Sequence, residues 1–173
     1  MVKMALKVSY IGSDFSGSQI QKTERTVEGV LLDALIELGL TDSAESANIK
    51  SSGRTDAGVH ALSQIITFDT NDPGLSIPRA INSKLPSDVW AWAYAIVPDD
   101  FNPRKDAVSR FYRYYLFNEK YDISKMRDAA RLLVGTHDFS NFSKKDKKQE
   151  RTTIRTIEKL DIRVSGELIQ IDI

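Results

Sequence analysis

The stretch GRTDAGVHA at 53–61 concentrates an arginine, an aspartate and a histidine in one segment with two glycines. Strand-like residues flank it on both sides, so the sequence predicts a loop between two strands. Catalytic groups are over-represented on loops held by a rigid scaffold, which makes Asp56 a candidate catalytic carboxylate. Thr55 and Asp56 could equally serve to satisfy turn amides, and Arg54 could be a solvated charge. His60 faces an apolar stretch and is expected to be a hydrogen-bonded structural residue.

A second group of candidate residues lies in SRFYRYYLF at 109–117. Side chains alternate between the two faces of a strand, so Arg110, Tyr112 and Tyr114 are predicted to share one face. The residues predicted on the opposite face are Phe111, Tyr115 and Phe117. An exposed tyrosine face beside an arginine would suit stacking on an unpaired base, worth about 1–3 kcal/mol per base. The same pattern is also typical of a buried aromatic face.

A third feature is the basic run SKKDKKQER at 143–151, with five basic residues against two acidic ones. From Lys144 to Arg151 it could be a solvated loop or an edge that contacts phosphates. The whole chain has a formal net charge of zero, which argues against a surface that is basic throughout.

Composition excludes several kinds of chemistry. The chain has no cysteine, so disulfides, thiolate zinc sites, zinc deaminases and cysteine nucleophiles are excluded, and two histidines make an all-histidine metal cage implausible. The N-terminus lacks the pattern of a signal peptide. The longest apolar run, at 89–97, is about half of a membrane span. A soluble cytoplasmic protein that binds no membrane is therefore expected.

Hydrophobic periodicity predicts the elements that must position these residues. The predicted order is a strand at 4–10, a helix capped by Thr26, strands at 47–51 and 62–69, a helix at 78–84 and a strand at 89–97. In the last strand, one face is predicted to carry Trp90, Trp92, Tyr94 and Ile96. The order β-α-β-β-α-β is typical of a ferredoxin-like layer.

A second cycle follows, with a strand at 108–117, a helix that begins after Asp122, and strands at 160–164 and 169–173. It reads β-α-β-β, so the prediction is an α+β protein with duplicated ferredoxin-like (RRM-like) layers, an antiparallel sheet and an incomplete second half. The predicted domains are 1–105, with the GRTD loop, and 106–173, the start of a C-terminal half that is predicted to be truncated.

GRTDAGVHA resembles the signature of the TruA family of tRNA pseudouridine synthases. VSYIGSDFSGSQIQ at 8–21, the block at 81–118, and ISKMRDAARLLVGTHDFSNF at 123–142 resemble further family segments in the family's order. The family usually has a tryptophan where this chain has Ser18. The family's C-terminal block should follow Ile173, so the chain is expected to be an N-terminal portion, weakly active or inactive alone.

The resemblance implies that uridine is isomerised to pseudouridine in the anticodon arm of tRNA, with no cofactor and no metal. Asp56 matches the carboxylate nucleophile, which would attack ribose C1′ or uracil C6. Tyr112 matches the tyrosine that packs on the target base, and Arg54 matches the arginine that holds the flipped-out nucleotide. Arg110 matches a basic position assigned to RNA or site electrostatics.

Family members are usually homodimers, so a homodimer that binds the anticodon stem-loop is expected. Two other readings stay open at this point: a catalytically inactive RNA-binding module of the same fold, and a small-molecule enzyme that uses Asp56.

Overall fold

The computed structural model describes residues 1–143 and 152–173, and the chain divides into two compact units, Met1–Val108 and Ser109–Ile173. The basic run from Lys144 to Arg151 lies outside the described residues. Each unit is built around an antiparallel sheet.

The first unit has the predicted β-α-β-β-α-β order with one additional short helix. Its elements are β1 (Val2–Tyr10), α1 (Val27–Glu37), α2 (Ala44–Ala47), β2 (Lys50–Ser51), β3 (Ala61–Thr70), α3 (Pro78–Asn82) and β4 (Val89–Ile96). The four strands lie in the order β2-β3-β1-β4, and every neighbouring pair is antiparallel. The ferredoxin-like layer is therefore confirmed.

The core of the first unit lies between the sheet and α1. The alternation in β1 buries Met4, Leu6 and Val8 completely on one face. α1 covers that face with Leu31 and Leu35, which belong to the same apolar cluster. As predicted, Thr26 caps α1, because its side-chain oxygen accepts a hydrogen bond from the N–H of Gly29 at 3.2 Å.

The predicted strand at 47–51 is wrong in its first half. Ser43 and Ser46 form a reciprocal capping box that starts α2, so Ala47 is helical. Asn48 then ends the helix in the left-handed conformation, with φ of +46°. The strand β2 is consequently only Lys50–Ser51.

The predicted face of β4 is also wrong, because the pairing of β4 with β1 contains an irregularity opposite Lys7 and Val8. On one side of this irregularity Trp90 is paired with Ser9, and on the other side Tyr94 is paired with Leu6. Directly paired residues share a face, so the irregularity separates Trp90 from Tyr94.

The second unit begins with β5 (Arg113–Phe117) and α4 (Ile123–Leu133), whose N-cap Asp122 accepts a hydrogen bond from the N–H of Lys125 at 3.0 Å. Its remaining strands are β6 (Gly135–Asp138), β7 (Ile154–Ile157), β8 (Asp161–Ser165) and β9 (Leu168–Asp172). The main sheet has the order β5-β9-β8, which repeats the arrangement of β1, β3 and β2. Duplicated ferredoxin-like layers are thus confirmed.

Two features of the second unit differ from the prediction. The strand begins at Arg113 rather than 108, so Arg110 lies in an irregular segment before it. The hairpin of β6 and β7 was not predicted, because GTHD and IRTI are four-residue strands, too short to show a period.

Candidate active site

The loop at 52–60 joins β2 to β3 and carries Arg54 and Asp56. Asp56 begins a tight turn, in which the N–H of Val59 donates to the backbone oxygen of Asp56 at 3.2 Å. Gly58, the third residue of the turn, has φ of +80°. A type II turn requires a positive φ at this position. The turn therefore fixes the backbone that follows the Asp56 carboxylate.

Thr55, the residue before Asp56, is fixed by hydrogen bonds to Ser18 and Tyr10. The N–H of Thr55 donates to Ser18 Oγ at 2.9 Å, and the N–H of Ser18 donates to the Thr55 oxygen at 3.0 Å. The hydroxyls of Tyr10 and Thr55 lie 2.7 Å apart. Burial raises the pKa of Tyr10, so the phenol stays protonated at neutral pH and can donate. Asp56 is thus held by its neighbours on both sides.

Gly12 brings the start of the chain against the far side of the loop. A Cβ atom at Gly12 would lie 2.0 Å from the backbone oxygen of Val59, so no other residue fits without a shift of the backbone. The N–H of Gly12 donates to Nδ1 of His60 at 3.2 Å. That ring nitrogen is therefore an acceptor, and His60 is a hydrogen-bonded residue of the loop's base, as expected.

The side chains of Arg54 and Asp56 are both exposed, although the backbone between them is anchored. Gln64 of β3 donates a further hydrogen bond to the oxygen of Gly53, just before Arg54. An exposed carboxylate on a fixed backbone can act as a nucleophile or a general base, because it needs no rearrangement to meet a substrate.

Tyr112 and Arg110 belong to the second unit. Tyr112 immediately precedes β5, and its backbone exchanges two hydrogen bonds with Ile173, at 2.8 and 2.9 Å. The next pairs along the ladder are Arg113 with Asp172 and Tyr114 with Ile171. Tyr112 and Tyr114 therefore share a face, as predicted, and both are about half exposed, at 48% and 54%.

The Arg113–Asp172 pair fixes the strand that follows Tyr112. Arg113 Nε and a terminal nitrogen donate to the two oxygens of Asp172 at 2.6 and 2.9 Å, a bidentate contact. These hydrogen bonds lower the pKa of Asp172, so its carboxyl stays charged. The pair was not recognised in the sequence, because it depends on the register of β5 against β9.

The supporting residues of the Asp56 loop were also missed. Tyr10, Gly12 and Ser18 lie more than thirty positions before the loop in the chain, at distances of 45, 48 and 37 residues from their partners. The segment 11–18 is rich in glycine and serine, a composition typical of a turn, but composition does not indicate which residues a turn contacts. Within residues 1–143 and 152–173, no cluster of three His, Cys, Asp or Glu side chains could hold a metal ion. No helix in this part of the chain is long and apolar enough to cross a bilayer.

The geometry defines an α+β protein of duplicated ferredoxin-like layers with an exposed aspartate on an anchored loop. The sequence model of a family described as tRNA pseudouridine synthase matches residues 6–104 and 129–173. The chain therefore belongs to the tRNA pseudouridine synthase family, whose members are isomerases.

Relatives named tRNA pseudouridine synthase A align over nearly the whole chain. The protein from Methanococcoides burtonii is 54% identical over 99% of this chain and 62% of its own length. Those from Archaeoglobus fulgidus and Thermococcus sibiricus are 47% and 41% identical, over 100% and 99% of this chain and 62% and 64% of their own lengths. The chain thus spans less than two thirds of the length of these relatives.

Proposed function

We propose that the chain takes part in isomerising uridine to pseudouridine in the anticodon arm of tRNA, with Asp56 as the nucleophile. The observation that carries this proposal is the exposed Asp56 carboxylate on a loop anchored by Tyr10, Gly12 and Ser18. Family membership supports tRNA as the substrate class. The choice of the anticodon arm as the region modified is based on the resemblance of GRTDAGVHA to the family's signature.

The proposed isomerisation needs no added reactant, because its substrate and product contain the same atoms. Uridine and pseudouridine have the same composition: the C1′–N1 bond breaks, a C1′–C5 bond forms, and the proton lost from C5 is matched by one gained at N1. The Asp56 carboxylate would form a transient covalent bond to C1′ or to C6 of the base, which divides one difficult isomerisation into easier steps. An aspartate is ordinarily ionised at neutral pH, so it needs no base to activate it.

Tyr112, Arg54 and Arg110 have supporting roles in this proposal. Tyr112 would pack on the target base with a ring that is about half exposed on a paired backbone. Arg54 would hold the flipped-out nucleotide, and Arg110 would contribute positive charge toward the RNA. Flipping a base costs a few kcal/mol of unstacking, which stacking on a tyrosine offsets.

The assembly that acts in the cell is proposed to be a cytoplasmic homodimer bound to the anticodon stem-loop. Because the chain spans less than two thirds of its relatives, the alternative is a catalytically inactive RNA-binding module of the same fold. The exposed carboxylate favours the isomerase, since a negative charge that faces RNA weakens binding and has no use in a binder.

The direct test is tritium release from tRNA labelled at C5 of uridine, since C5 loses its hydrogen only when the base is rejoined through that carbon. Release by the chain alone is expected to be slow, since it spans less than two thirds of its relatives, and Asp56→Asn should abolish it, because an amide is not a nucleophile. The exposed Asp14→Asn is the matched control and should keep the wild-type rate.

Measurable and equal rates in wild type, Asp56→Asn and Asp14→Asn would reject the nucleophile assignment. Binding of tRNA by the wild-type chain with no release from it would favour the binding module.

A further inference from the structure

A basic pocket in the first unit includes Arg54 of the Asp56 loop, and its other two cations, Lys50 and Arg104, have no role in the proposed chemistry. It has a volume of about 210 Å³ and is lined by three basic residues, Lys50, Arg54 and Arg104, together with polar residues that include Glu28 and Asn102. Lys50 lies in β2, Arg54 in the loop that follows it, and Arg104 in the segment after β4. Three separate positions of the chain thus bring positive charge to one concavity.

Glu28 offsets only part of this charge, and its oxygens are held by hydrogen bonds from the protein. The hydroxyl of Ser51 donates to one oxygen at 2.7 Å, and the N–H of Ile20 donates to the other at 3.4 Å. Glu28 is only 7% exposed and lies in the first turn of α1, where a negative charge is favoured. The lining itself thus carries three cations and one carboxylate.

The backbone at Arg104 is held by a turn that Asn102 organises. The side-chain oxygen of Asn102 accepts hydrogen bonds from the N–H groups of Arg104 and Lys105, at 3.0 and 3.1 Å. In return, the N–H of Asn102 donates to the Asp106 carboxylate at 2.8 Å. Pro103, between Asn102 and Arg104, is buried. Arg104 therefore projects from an anchored backbone rather than from a loose connection.

The lining of the pocket favours a phosphate over a neutral base, because it carries three cations. Its 210 Å³ is below the range of about 300–1,000 Å³ typical of sites for drug-sized ligands. Arginine binds phosphate through two parallel hydrogen bonds, and lysine binds it as a point charge. The lining thus matches one phosphate group.

We propose that this pocket binds a backbone phosphate of the RNA substrate, close to the nucleotide that Asp56 attacks. This inference rests on the proposed function. Arg54 and Asp56 are separated by two residues, which span at most about 7 Å of chain. A phosphate held by Arg54, Lys50 and Arg104 is then within a nucleotide or two of the target uridine and positions it along the strand.

The first test measures binding, not catalysis. Affinity for tRNA is measured against salt concentration for the wild-type chain, for the double variant Lys50→Gln/Arg104→Gln, and for Arg79→Gln. Arg79 is an exposed arginine of α3 that does not line the pocket. The loss of one phosphate contact should reduce the slope of log affinity against log salt by about 0.7 in the double variant. Arg79→Gln should keep the wild-type slope.

A second test identifies the source of the phosphate. Each phosphate of an anticodon stem-loop RNA is replaced in turn by a neutral methylphosphonate. One replacement, within two nucleotides of the target uridine, should weaken binding to the wild-type chain but not to the double variant. In parallel, inorganic phosphate should shift the Nε–H NMR signals of Arg54 and Arg104.

Failure of the phosphate site and failure of the nucleophile assignment give different results. An unchanged salt slope in the double variant, or methylphosphonates that weaken both proteins equally, would overturn the RNA phosphate site. If inorganic phosphate shifts the arginine NMR signals but no methylphosphonate affects binding differently in the two proteins, the pocket binds anions but not a phosphate of the RNA, and the proposal is overturned. Retained tritium release in Asp56→Asn would reject the nucleophile and leave the binding result intact.

Discussion

The Asp56 carboxylate is exposed, yet hydrogen bonds hold the backbone before and after it. Thr55 exchanges backbone and side-chain hydrogen bonds with Ser18, and Val59 closes a turn back onto Asp56. Ser18 is itself 1% exposed, so its hydroxyl is part of the core of the site. This buried serine occupies the position at which, by the resemblance described above, the TruA family usually has a tryptophan. The position therefore supports the loop in this chain through hydrogen bonds.

The residue-scale prediction concerns Asp88, which pairs with Arg25 beside the loop's scaffold. Two guanidinium nitrogens of Arg25 donate to the two Asp88 oxygens, both at 2.8 Å. These hydrogen bonds lower the pKa of Asp88 below its ordinary value. The unfolded chain then takes up a proton at a higher pH than the folded chain, so the pair's stabilisation is complete above the unfolded pKa of about 3.9 and is lost as pH falls through the folded value.

Asp88→Asn should lower the free energy of unfolding at pH 7 by about 0.5–1 kcal/mol, because the pair is partly exposed and screened by solvent. The difference from wild type should shrink toward zero as the pH falls below about 3.9. Urea unfolding followed by tryptophan fluorescence measures it, since Trp90 and Trp92 both lie in β4 of the first unit. Asp100→Asn, at an exposed carboxylate, is the control. A loss as large at pH 3 as at pH 7 would contradict the assignment.

At the scale of elements, long periodic segments were predictable and local exceptions were not. β1, α1 and the order of the first layer follow from apolar alternation and from the Thr26 cap. α2 depends on two serines that cap each other, and the face of β4 depends on an irregular register with β1. The capping of α2 is local, but a four-residue helix is too short to show a helical period. The register of β4 arises from pairing with a distant strand, so no local pattern indicates it. The same distinction applies to the candidate site. The loop motif made Asp56 a candidate, whereas the contacts of Gly12 and Ser18 with the loop are visible only in the structure.

The element-scale prediction concerns the approach of the segment after β1 to the Asp56 loop. In Gly12→Ala, the new Cβ would lie 2.0 Å from the Val59 oxygen, and that atom is backbone, so the loop must move. Overpacking of this kind costs about 1–3 kcal/mol. The matched control is Gly53→Ala in the same loop, where a Cβ meets nothing within 4 Å and should change stability by less than about 0.5 kcal/mol.

Urea unfolding followed by tryptophan fluorescence compares the two glycine variants. Tritium release from labelled tRNA is then measured on the folded proteins, and it should fall in Gly12→Ala with the displacement of the loop. Equal stability of the two variants would show that the close approach at Gly12 does not constrain the loop.

At the scale of the whole molecule, the two units differ in how much apolar surface they bury. Among the described residues, the buried apolar cluster that includes Leu6, Leu31 and Phe68 lies entirely in the first unit. Of the residues that the structure describes in the second unit, the buried apolar ones are Ala130 and Ile169. Burial of apolar area is the dominant favourable term in folding, so the second unit is expected to be the less stable of the two.

Hydrogen exchange at the backbone measures this difference directly, because each amide reports the free energy of the opening that exposes it. Amides of β1 and β3 should exchange slowly, through global unfolding of the first unit. Amides of β5 and β9 should exchange faster and as a group, although they too are paired in a ladder. Added urea should bring the β5 and β9 amides to full exchange at a lower concentration than those of β1. Equal protection in both sheets would mean that the second unit draws its stability from something other than its own buried apolar residues.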